Sequence, residues 1–303
     1  MMNIGNYQGV FPTFYACYED DGSVSPARTR ALARHLLDKG VKGLYVGGSS
    51  GECIYQSVAE RKTILENVMA EVGGKLTVIA HVACNNTADS RELAKHAGDL
   101  HVDAIAAIPP IYFHLPPYGI AEYWNDISAA APNTDFIIYN IPQLAGVALT
   151  PDLLAEMRKN PRVIGVKNSS MPTQDIQMWK DQGGPDFVVM NGPDEQFISG
   201  LAMGATGGIG GTYAVMPELF LAARAALFAG DLEKAQRVQY QADRIIYKMC
   251  EAHGNLYAVM KAILAKHGVN CGGVRKPLPG LIDADKVIVD AADEMIQSAI
   301  QKI

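Results

Sequence analysis

The sequence predicts an α/β fold, a (β/α)8 TIM barrel with a carboxyl-terminal extension of about three helices. From Gly9 onward, short apolar runs alternate with longer amphipathic stretches, which is typical of βα units around a parallel sheet. The alternation occurs eight times with short linkers, which favours a closed barrel over an open doubly wound sheet. After the eighth repeat the pattern changes to helices only.

Eight short segments are the predicted strands. Apart from the outermost and the glycine-rich last one, they are dense in valine, isoleucine and phenylalanine, as strands buried on both faces should be. They span residues 9–15, 43–47, 76–82, 104–108, 136–140, 163–166, 187–190 and 207–209.

Two of the helices between these strands carry clear start signals. Ser57 and Glu60 have the spacing of a capping box, and the apolar residues that follow share one helix face, namely Ile64, Leu65, Val68 and Met69. Thr150 precedes another helix, in which Pro151 lies where its missing N–H costs least and Asp152 faces the positive helix end.

The helices after the last strand divide into two groups. We expect them over residues 218–228, 232–252, 256–266 and 286–301. The first closes a barrel of residues 1–230, and the others form a helical lobe of residues 231–303. Nothing between the two has the composition of a flexible linker, so we expect the lobe to pack on the barrel as part of one unit.

Composition excludes several classes of partner. The net charge is −6 and no local cluster of lysine and arginine stands out, so we expect no nucleic acid and no anionic membrane as a partner. The five cysteines are scattered, which suggests neither a disulfide framework nor a zinc site. With no basic leader and no long apolar run, we expect a cytoplasmic protein.

Lys167 is the first candidate for chemistry. In a barrel of this kind reactive groups are built at the carboxyl ends of the strands. The segment 163–170 runs an apolar strand straight into Lys167. Partial desolvation there would disfavour the ammonium form and leave an amine able to attack a ketone. Most lysines are solvated surface charges, so this residue decides nothing alone.

Other polar residues follow the remaining strands. After the second strand, the glycines of segment 47–52 allow a tight turn in which Ser49 and Ser50 would hold a carboxylate, although a plain turn explains the same residues. After the fifth strand, Tyr139 offers a phenol that could move protons, or a core tyrosine. After the seventh, Asp194 and Glu195 would bind hydroxyl groups or cap a helix.

Cofactor and metal signals are weak. The glycines of segment 207–211 leave room for a ligand but do not fit the dinucleotide fingerprint, so we reject a nicotinamide cofactor. The seven histidines show no paired ligand spacing, and we therefore expect no metal. A Gly-x-Ser-x-Gly nucleophile elbow is absent from the sequence.

Three motifs together resemble the dihydrodipicolinate synthase and N-acetylneuraminate lyase family. They are Gly-Ser-Ser-Gly-Glu at residues 48–52, Tyr-Asn-Ile-Pro at 139–142, and Lys167 in the place of the family's imine-forming lysine. The resemblance covers essentially the whole chain. It implies a class I aldolase on a (β/α)8 barrel, working through a covalent imine with Lys167 and without metal or organic cofactor.

The branch of the family is indicated mainly by Leu144. The synthase branch carries an arginine there that pairs with a second substrate carboxylate, and a leucine cannot replace that contact. Segment 139–146 resembles the sialic acid lyase branch instead. This implies reversible cleavage of N-acetylneuraminate into the keto acid pyruvate and the amino sugar N-acetylmannosamine.

The resemblance also implies roles for the site residues. Lys167 forms the imine, Tyr139 with Ser50 moves protons, and Ser49 with Ser50 holds the pyruvyl carboxylate. The remaining expected substrate contacts are Ser169, Gly192, Asp194, Glu195, Gly210 and Gly211. Tyr112 matches a family loop tyrosine that reaches a neighbouring subunit's site, which implies a homotetramer built as a dimer of dimers, unless it is a plain surface aromatic.

Two departures from the lyase pattern leave alternatives open. Gly211 stands where sialic acid lyases usually have serine, and the usual Ser-Thr pair is Ser49 and Ser50. Another aldolase or dehydratase of the family, acting on a different 2-keto-3-deoxy sugar acid, would keep the same catalytic residues. Dihydrodipicolinate synthase and a non-catalytic sugar-acid-binding barrel are weaker alternatives.

Overall fold

A computed structural model describes residues 3–303 and contains the predicted eight-stranded parallel barrel. The strands are β1 (Val10–Pro12), β2 (Gly43–Val46), β3 (Thr77–His81), β4 (Ala104–Ala107), β5 (Asp135–Asn140), β6 (Val163–Asn168), β7 (Val188–Asn191) and β8 (Gly207–Gly210). Each pairs in parallel with its neighbour from β2 round to β8 and β1. A parallel bridge between Thr13 and Tyr45 brings β1 and β2 together and closes the ring.

Helices connect the strands on the outside of the barrel. They are α1 (Pro26–Asp38), α2 (Val58–Val72), α3 (Thr87–Asp99), α4 (Pro117–Ala130), α5 (Pro142–Ala145), α6 (Pro151–Met157), α7 (Gln174–Gly183), α8 (Phe197–Ala202) and α9 (Pro217–Phe228). Both predicted start signals are confirmed. Ser57 and Glu60 form the full capping box of α2, and the Thr150 hydroxyl accepts the Leu153 N–H at 3.2 Å.

The extension consists of three helices, as predicted: α10 (Leu232–Met249), α11 (Leu256–Lys266) and α12 (Lys286–Ile300). Helix α10 packs on α8 and α9 of the barrel and on α12. The division of the chain at residues 230 and 231 stays a prediction. No helix between residues 3 and 303 combines the length and apolar character that a membrane span needs, and the five cysteines of that part of the chain are free thiols.

The observed strands agree with the predicted ones to within one residue at each end, except for the carboxyl ends of β1 and β6. Strand β1 is three residues long: the Thr13 N–H still donates to the Gly210 carbonyl of β8, and from there the chain turns to Tyr45 of β2, whose carbonyl accepts the Phe14 N–H. Strand β6 runs on to Asn168, so Lys167 lies within the strand and not after it. The nucleophile candidate is therefore held by the hydrogen bonds of the sheet.

Apolar side chains form two layers. One fills the space between the strands and the surrounding helices. The other fills the barrel itself, and includes Phe11, Tyr45, Ile137, Tyr139 and Met190. Because side chains alternate along a strand, residues two positions apart on one strand share the interior. That alternation places Tyr139 of β5 above Ile137, at the carboxyl end of the barrel.

Candidate active site

Lys167 and Tyr139 lie directly beside each other on neighbouring strands. They are register partners in the β5–β6 ladder, and the Lys167 Nζ lies 3.6 Å from the centroid of the Tyr139 ring. It lies 4.6 Å from the centroid of the Tyr45 ring. Both Lys167 and Tyr139 are buried. The predicted pair of nucleophile and phenol therefore occupies one spot at the top of the barrel.

Burial changes the proton affinity of the Lys167 amine. Loss of solvation lowers its pKa from 10.5 to about 7, while the carboxylate of Asp194 acts in the opposite direction. At neutral pH a substantial fraction of this side chain is the free amine. An uncharged amine is the form that attacks a carbonyl carbon.

Tyr139 keeps its proton at neutral pH. Burial raises the pKa of its phenol to about 12, and the neighbouring Ser49 and Ser169 side chains oppose that rise. Ser49 and Ser169 come from the turns after β2 and β6, so the structure brings two predicted site residues around the phenol hydroxyl of a third, Tyr139. A phenol in such a place can accept and return a proton through hydrogen bonds.

Tyr45 and His81 complete the surroundings of Lys167, and the sequence did not single them out as site residues. The Tyr45 and His81 rings lie 5.7 and 5.9 Å from the Tyr139 ring in edge-on arrangements. Burial lowers the pKa of His81 to about 3, so its ring is neutral. His81 Nδ1 is 2.8 Å from the Gly47 carbonyl oxygen, which fixes the ring. The alternation of inward side chains along β2 and β3 was the signal that could have found both.

The turn after β2 is shaped by backbone hydrogen bonds. A short 3-10 helix covers Ser49–Gly51, and the Glu52 N–H donates to the Ser49 carbonyl at 2.9 Å. Glycine is required at position 48, because a Cβ there would lie 2.7 Å from the Tyr45 ring. Ser50 is buried, whereas Ser49 is partly exposed. The turn therefore presents both hydroxyls at the mouth of the barrel.

Asp194 holds the segment that follows β8. Its carboxylate accepts the Thr212 N–H and the Thr212 hydroxyl, both at 2.6 Å, and the Gly211 N–H at 3.2 Å. Burial raises the pKa of Asp194 to about 6, against the effect of these hydrogen bonds. Glu195, the adjacent carboxylate, is exposed. The two carboxylates predicted together thus have different surroundings.

The glycines at the carboxyl ends of β7 and β8 serve close packing more than open space. A Cβ at Gly210 would lie 2.2 Å from the Tyr213 ring, and one at Gly192 would lie 2.0 Å from the Ser169 Oγ. The expectation that the last strand leaves room for a ligand is therefore wrong at Gly210, where protein atoms fill the space. It holds better at Gly211, whose Cβ would meet only the Ser50 Oγ at 3.3 Å and Asp194 at 3.9 Å.

A buried amide network lies behind the reactive pair. Asn168 accepts hydrogen bonds from the Asn140 side chain at 2.8 Å and from the Trp179 indole at 2.9 Å. Its own amide donates to the Ser170 hydroxyl at 2.8 Å. This network joins the ends of β5 and β6 to α7, and it was not predicted, because asparagine and serine are common at strand ends and nothing in the sequence links them to Trp179.

Two tyrosines outside the barrel strands differ in their distance from the site within one chain. Tyr257 of α11 lies close to Ser50, whose hydroxyl opposes the burial that raises the pKa of Tyr257 to about 12. The sequence did not indicate it, because it lies in the helical lobe. Tyr112 is 86% exposed, with a φ of 86°, and its ring packs edge-on against Phe113. Within a single chain, Tyr112 is a surface residue.

The described residues offer no group of three or more histidine, cysteine, aspartate or glutamate side chains with the arrangement of a metal site. The candidate site is thus built from one amine, phenols, hydroxyls, one buried carboxylate and backbone groups. Such a set can form an imine, move protons and hold a carboxylate.

Comparison with known proteins agrees with this chemistry. The chain belongs to the dihydrodipicolinate synthetase family, whose model matches residues 6–292. It is 63% identical to the N-acetylneuraminate lyase of Mediterraneibacter gnavus, over all of this chain and 96% of that one. It is 36% identical to the N-acetylneuraminate lyase of Escherichia fergusonii, over 80% of this chain and 81% of that one. The resemblance predicted from the motifs is confirmed at the level of the family.

A solved structure extends the likeness to the whole fold. The catalytic lysine mutant of the Ruminococcus gnavus sialic acid aldolase superposes with a TM-score of 0.99, at 63% identity, covering 100% of this chain and 99% of that one. The (β/α)8 barrel with its helical extension is therefore the fold of a known aldolase.

Proposed function

We propose that this protein is a class I aldolase that cleaves N-acetylneuraminate reversibly into pyruvate and N-acetylmannosamine. The observation that carries the proposal is the buried Lys167 amine, 3.6 Å from the ring of its strand partner Tyr139. The activity named for the lyases and the aldolase that this chain resembles supports the choice of substrate.

The reaction begins at the Lys167 amine. Its nitrogen attacks the C2 ketone of the open-chain sugar acid, water is lost, and a protonated imine remains. The imine accepts the electron pair released when the C3–C4 bond breaks. Tyr139, with Ser50 beside the site, relays the proton of the C4 hydroxyl as the aldehyde leaves: the neutral phenol accepts this proton while it passes its own along the hydrogen-bond chain, and one proton reaches C3 of the enamine. Hydrolysis of the imine then releases pyruvate, and no metal or organic cofactor takes part.

Binding is divided between two sides of the barrel mouth. Ser49 and Ser50 hold the pyruvyl carboxylate through their hydroxyls and the N–H groups of their turn. The sugar side is formed by Ser169, Asp194, Glu195 and Gly211, together with the backbone of Gly192 and Gly210, where protein atoms fill the place of a side chain. Asp194 already accepts three hydrogen bonds from Gly211 and Thr212, so its main part there is to fix the wall that the sugar meets.

Borohydride trapping tests the proposal. The protein is incubated with pyruvate and borohydride, and its intact mass is measured. We expect one reduced pyruvate adduct on the wild type and none on Lys167→Ala, which removes the amine but leaves only a small void and no unpaired charge. An adduct on folded Lys167→Ala would place the nucleophile elsewhere, and absence of any adduct on the wild type would remove the aldolase assignment.

A second candidate function is favoured by Gly211. Its lack of a side chain beside Ser50 leaves one wall of the sugar side without a hydroxyl. An aldolase or dehydratase of the same family, acting on a 2-keto-3-deoxy sugar acid without an acetamido group, would keep Lys167 and Tyr139 and tolerate that loss. Turnover of a panel of sugar acids separates the two candidates, because the physiological substrate should have the highest kcat/KM.

We also propose a cytoplasmic homotetramer, with small molecules and no nucleic acid or membrane as its partners. The free cysteines fit a reducing compartment. Tyr112 supports the assembly, because a tyrosine that is 86% exposed in one chain would be covered by a neighbouring subunit and would there approach its catalytic centre.

A further inference from the structure

A fully buried ion pair joins the helical lobe to the serine turn, the segment 48–52 that carries Ser49 and Ser50. Lys261 of α11 donates from Nζ to the Glu52 Oε1 at 2.6 Å, and the two side chains are only 1% and 0% exposed. The same Nζ donates to the Gly273 carbonyl at 2.7 Å. Lys261 is one of the largest fully buried side chains in the protein, and the catalytic scheme above does not use it.

The other oxygen of Glu52 is also held by the carboxyl-terminal part of the chain. The backbone N–H of Arg275 donates to Glu52 Oε2 at 2.8 Å. The Tyr18 ring lies beside both cations, with its centroid 4.9 Å from Lys261 Nζ and 4.5 Å from the Arg275 guanidinium carbon. Both carboxylate oxygens of Glu52 are therefore fixed from outside the barrel.

Glu52 needs this support, because its backbone has an uncommon conformation. Its φ of 55° and ψ of 30° lie in the left-handed region, which side chains other than glycine seldom adopt. The residue ends the 3-10 helix Ser49–Gly51, and its N–H donates to the Ser49 carbonyl at 2.9 Å. The direction of the two serines thus depends on the conformation of Glu52.

Helix α11 touches the opposite wall of the site as well. The hydroxyl of Tyr15 lies 3.1 Å from the sulfur of Met260, the residue before Lys261, and donates to the Gly211 carbonyl at 2.6 Å. One turn earlier, Tyr257 lies close to Ser50. A single helix of the lobe therefore contacts the serine turn directly through Tyr257 and reaches the backbone of Gly211 through Tyr15.

We propose that Lys261 is a positioning residue for the substrate carboxylate: through Glu52 it fixes the turn whose Ser49 and Ser50 bind that group. The inference rests on the proposed function, in which these serines hold the pyruvyl carboxylate. A buried ion pair contributes little net stability compared with apolar residues of similar size, which makes a role in geometry the better account of this one.

The test compares two ketones that react with the same lysine. Pyruvate has the carboxylate that the serine turn would bind, and hydroxyacetone lacks it. Borohydride trapping over a range of concentrations gives the half-saturating concentration of each ketone. In Lys261→Met we expect about a tenfold rise for pyruvate, since small misplacement of a binding group costs this much or more, and little change for hydroxyacetone.

Lys266→Met is the matched control on the same helix. Lys266 pairs with Asp290 and Asp293 of α12 at 2.8 and 2.9 Å, so its loss removes an ion pair of α11 without touching the serine turn. We expect both half-saturating concentrations to stay at the wild-type values. Circular dichroism and thermal unfolding confirm that each variant is folded before trapping.

The deciding quantity is the rise for pyruvate divided by the rise for hydroxyacetone in the lysine variant. A ratio above about three supports the inference, and a smaller ratio overturns it, because general damage to Lys167 would weaken both ketones alike. If Lys261→Met does not fold, Lys261→Gln, which keeps a donor for the Gly273 carbonyl, is judged by the same ratio. If the wild type traps hydroxyacetone but not pyruvate, the proposed function itself fails.

Discussion

The environment of Lys167 has a direct consequence for pH dependence. Burial lowers the pKa of its amine to about 7, so the reactive free base is scarce below that pH and dominant above it. The rate of imine formation with pyruvate should rise as pH increases through about 7 and then level off. Borohydride trapping, stopped at successive times and repeated at a series of pH values, measures the rate of imine formation. A rate that still climbed near pH 10 would mean that the amine is solvated and has the ordinary pKa of a lysine.

The proposed contact of Gly211 with the sugar can be tested by restoring the serine that the lyase pattern carries there. A Cβ at this position would lie 3.3 Å from the Ser50 Oγ, so a serine fits after a shift of a few tenths of an ångström. If its hydroxyl bonds to the sugar, Gly211→Ser should lower the KM for N-acetylneuraminate several-fold, equivalent to about 1 kcal/mol, with little change in kcat. Steady-state kinetics with N-acetylneuraminate and other sugar acids measures the change.

Gly210→Ser is the contrasting variant. Its Cβ would lie 2.2 Å from the Tyr213 ring and 2.3 Å from Asp194, so we expect lost stability and lost activity together.

An unaltered KM in Gly211→Ser, together with faster turnover of another sugar acid, would replace the sialic acid assignment with the broader sugar-acid aldolase.

At the scale of secondary structure elements, the join between β5 and β6 depends on Asn168. Asn168→Ala would leave the Asn140 amide and the Trp179 indole without their shared acceptor in the interior. Each unsatisfied buried donor costs about 1–3 kcal/mol, so the free energy of unfolding should fall by about 3 kcal/mol. Urea unfolding measures this. Trp179→Phe removes only one of the two donors and should cost less; a larger loss there would show that packing, and not the network, dominates.

The sequence predicted those parts of the fold and site that depend on local pattern. Strand spacing, the capping box at Ser57 and the limits of α11 follow from period and capping chemistry, and the residues at strand ends fell together because parallel strands end at one face. The tie between Lys261 and Glu52 could not be predicted, because it joins residues 209 positions apart. Tyr45 and His81 were missed because inward strand residues are usually core.

At the scale of the whole molecule, the exposed aromatic residues near β4 predict assembly. Tyr112, Phe113 and Tyr118 are 86%, 71% and 77% exposed, an amount of apolar surface that a neighbouring subunit would cover. Analytical ultracentrifugation should show a tetramer at working concentration. Tyr112→Ala should lower kcat with less effect on the half-saturating pyruvate concentration. A monomer with full activity at high dilution would contradict both the assembly and the role of Tyr112.

The extension of β6 to Asn168 places the catalytic pair within the sheet and leaves the proposed sugar contacts in the loops. Lys167 and Tyr139 face each other as rungs of one sheet ladder, so their relative placement is set by backbone hydrogen bonds. Asp194 and Gly211, which we propose to border the sugar, lie in segments beyond the strands. Substitutions and insertions in those segments therefore offer a route to new substrates at constant chemistry, in evolution as in engineering. The strands of the barrel therefore hold the catalytic pair in place, while the loops at their carboxyl ends can vary.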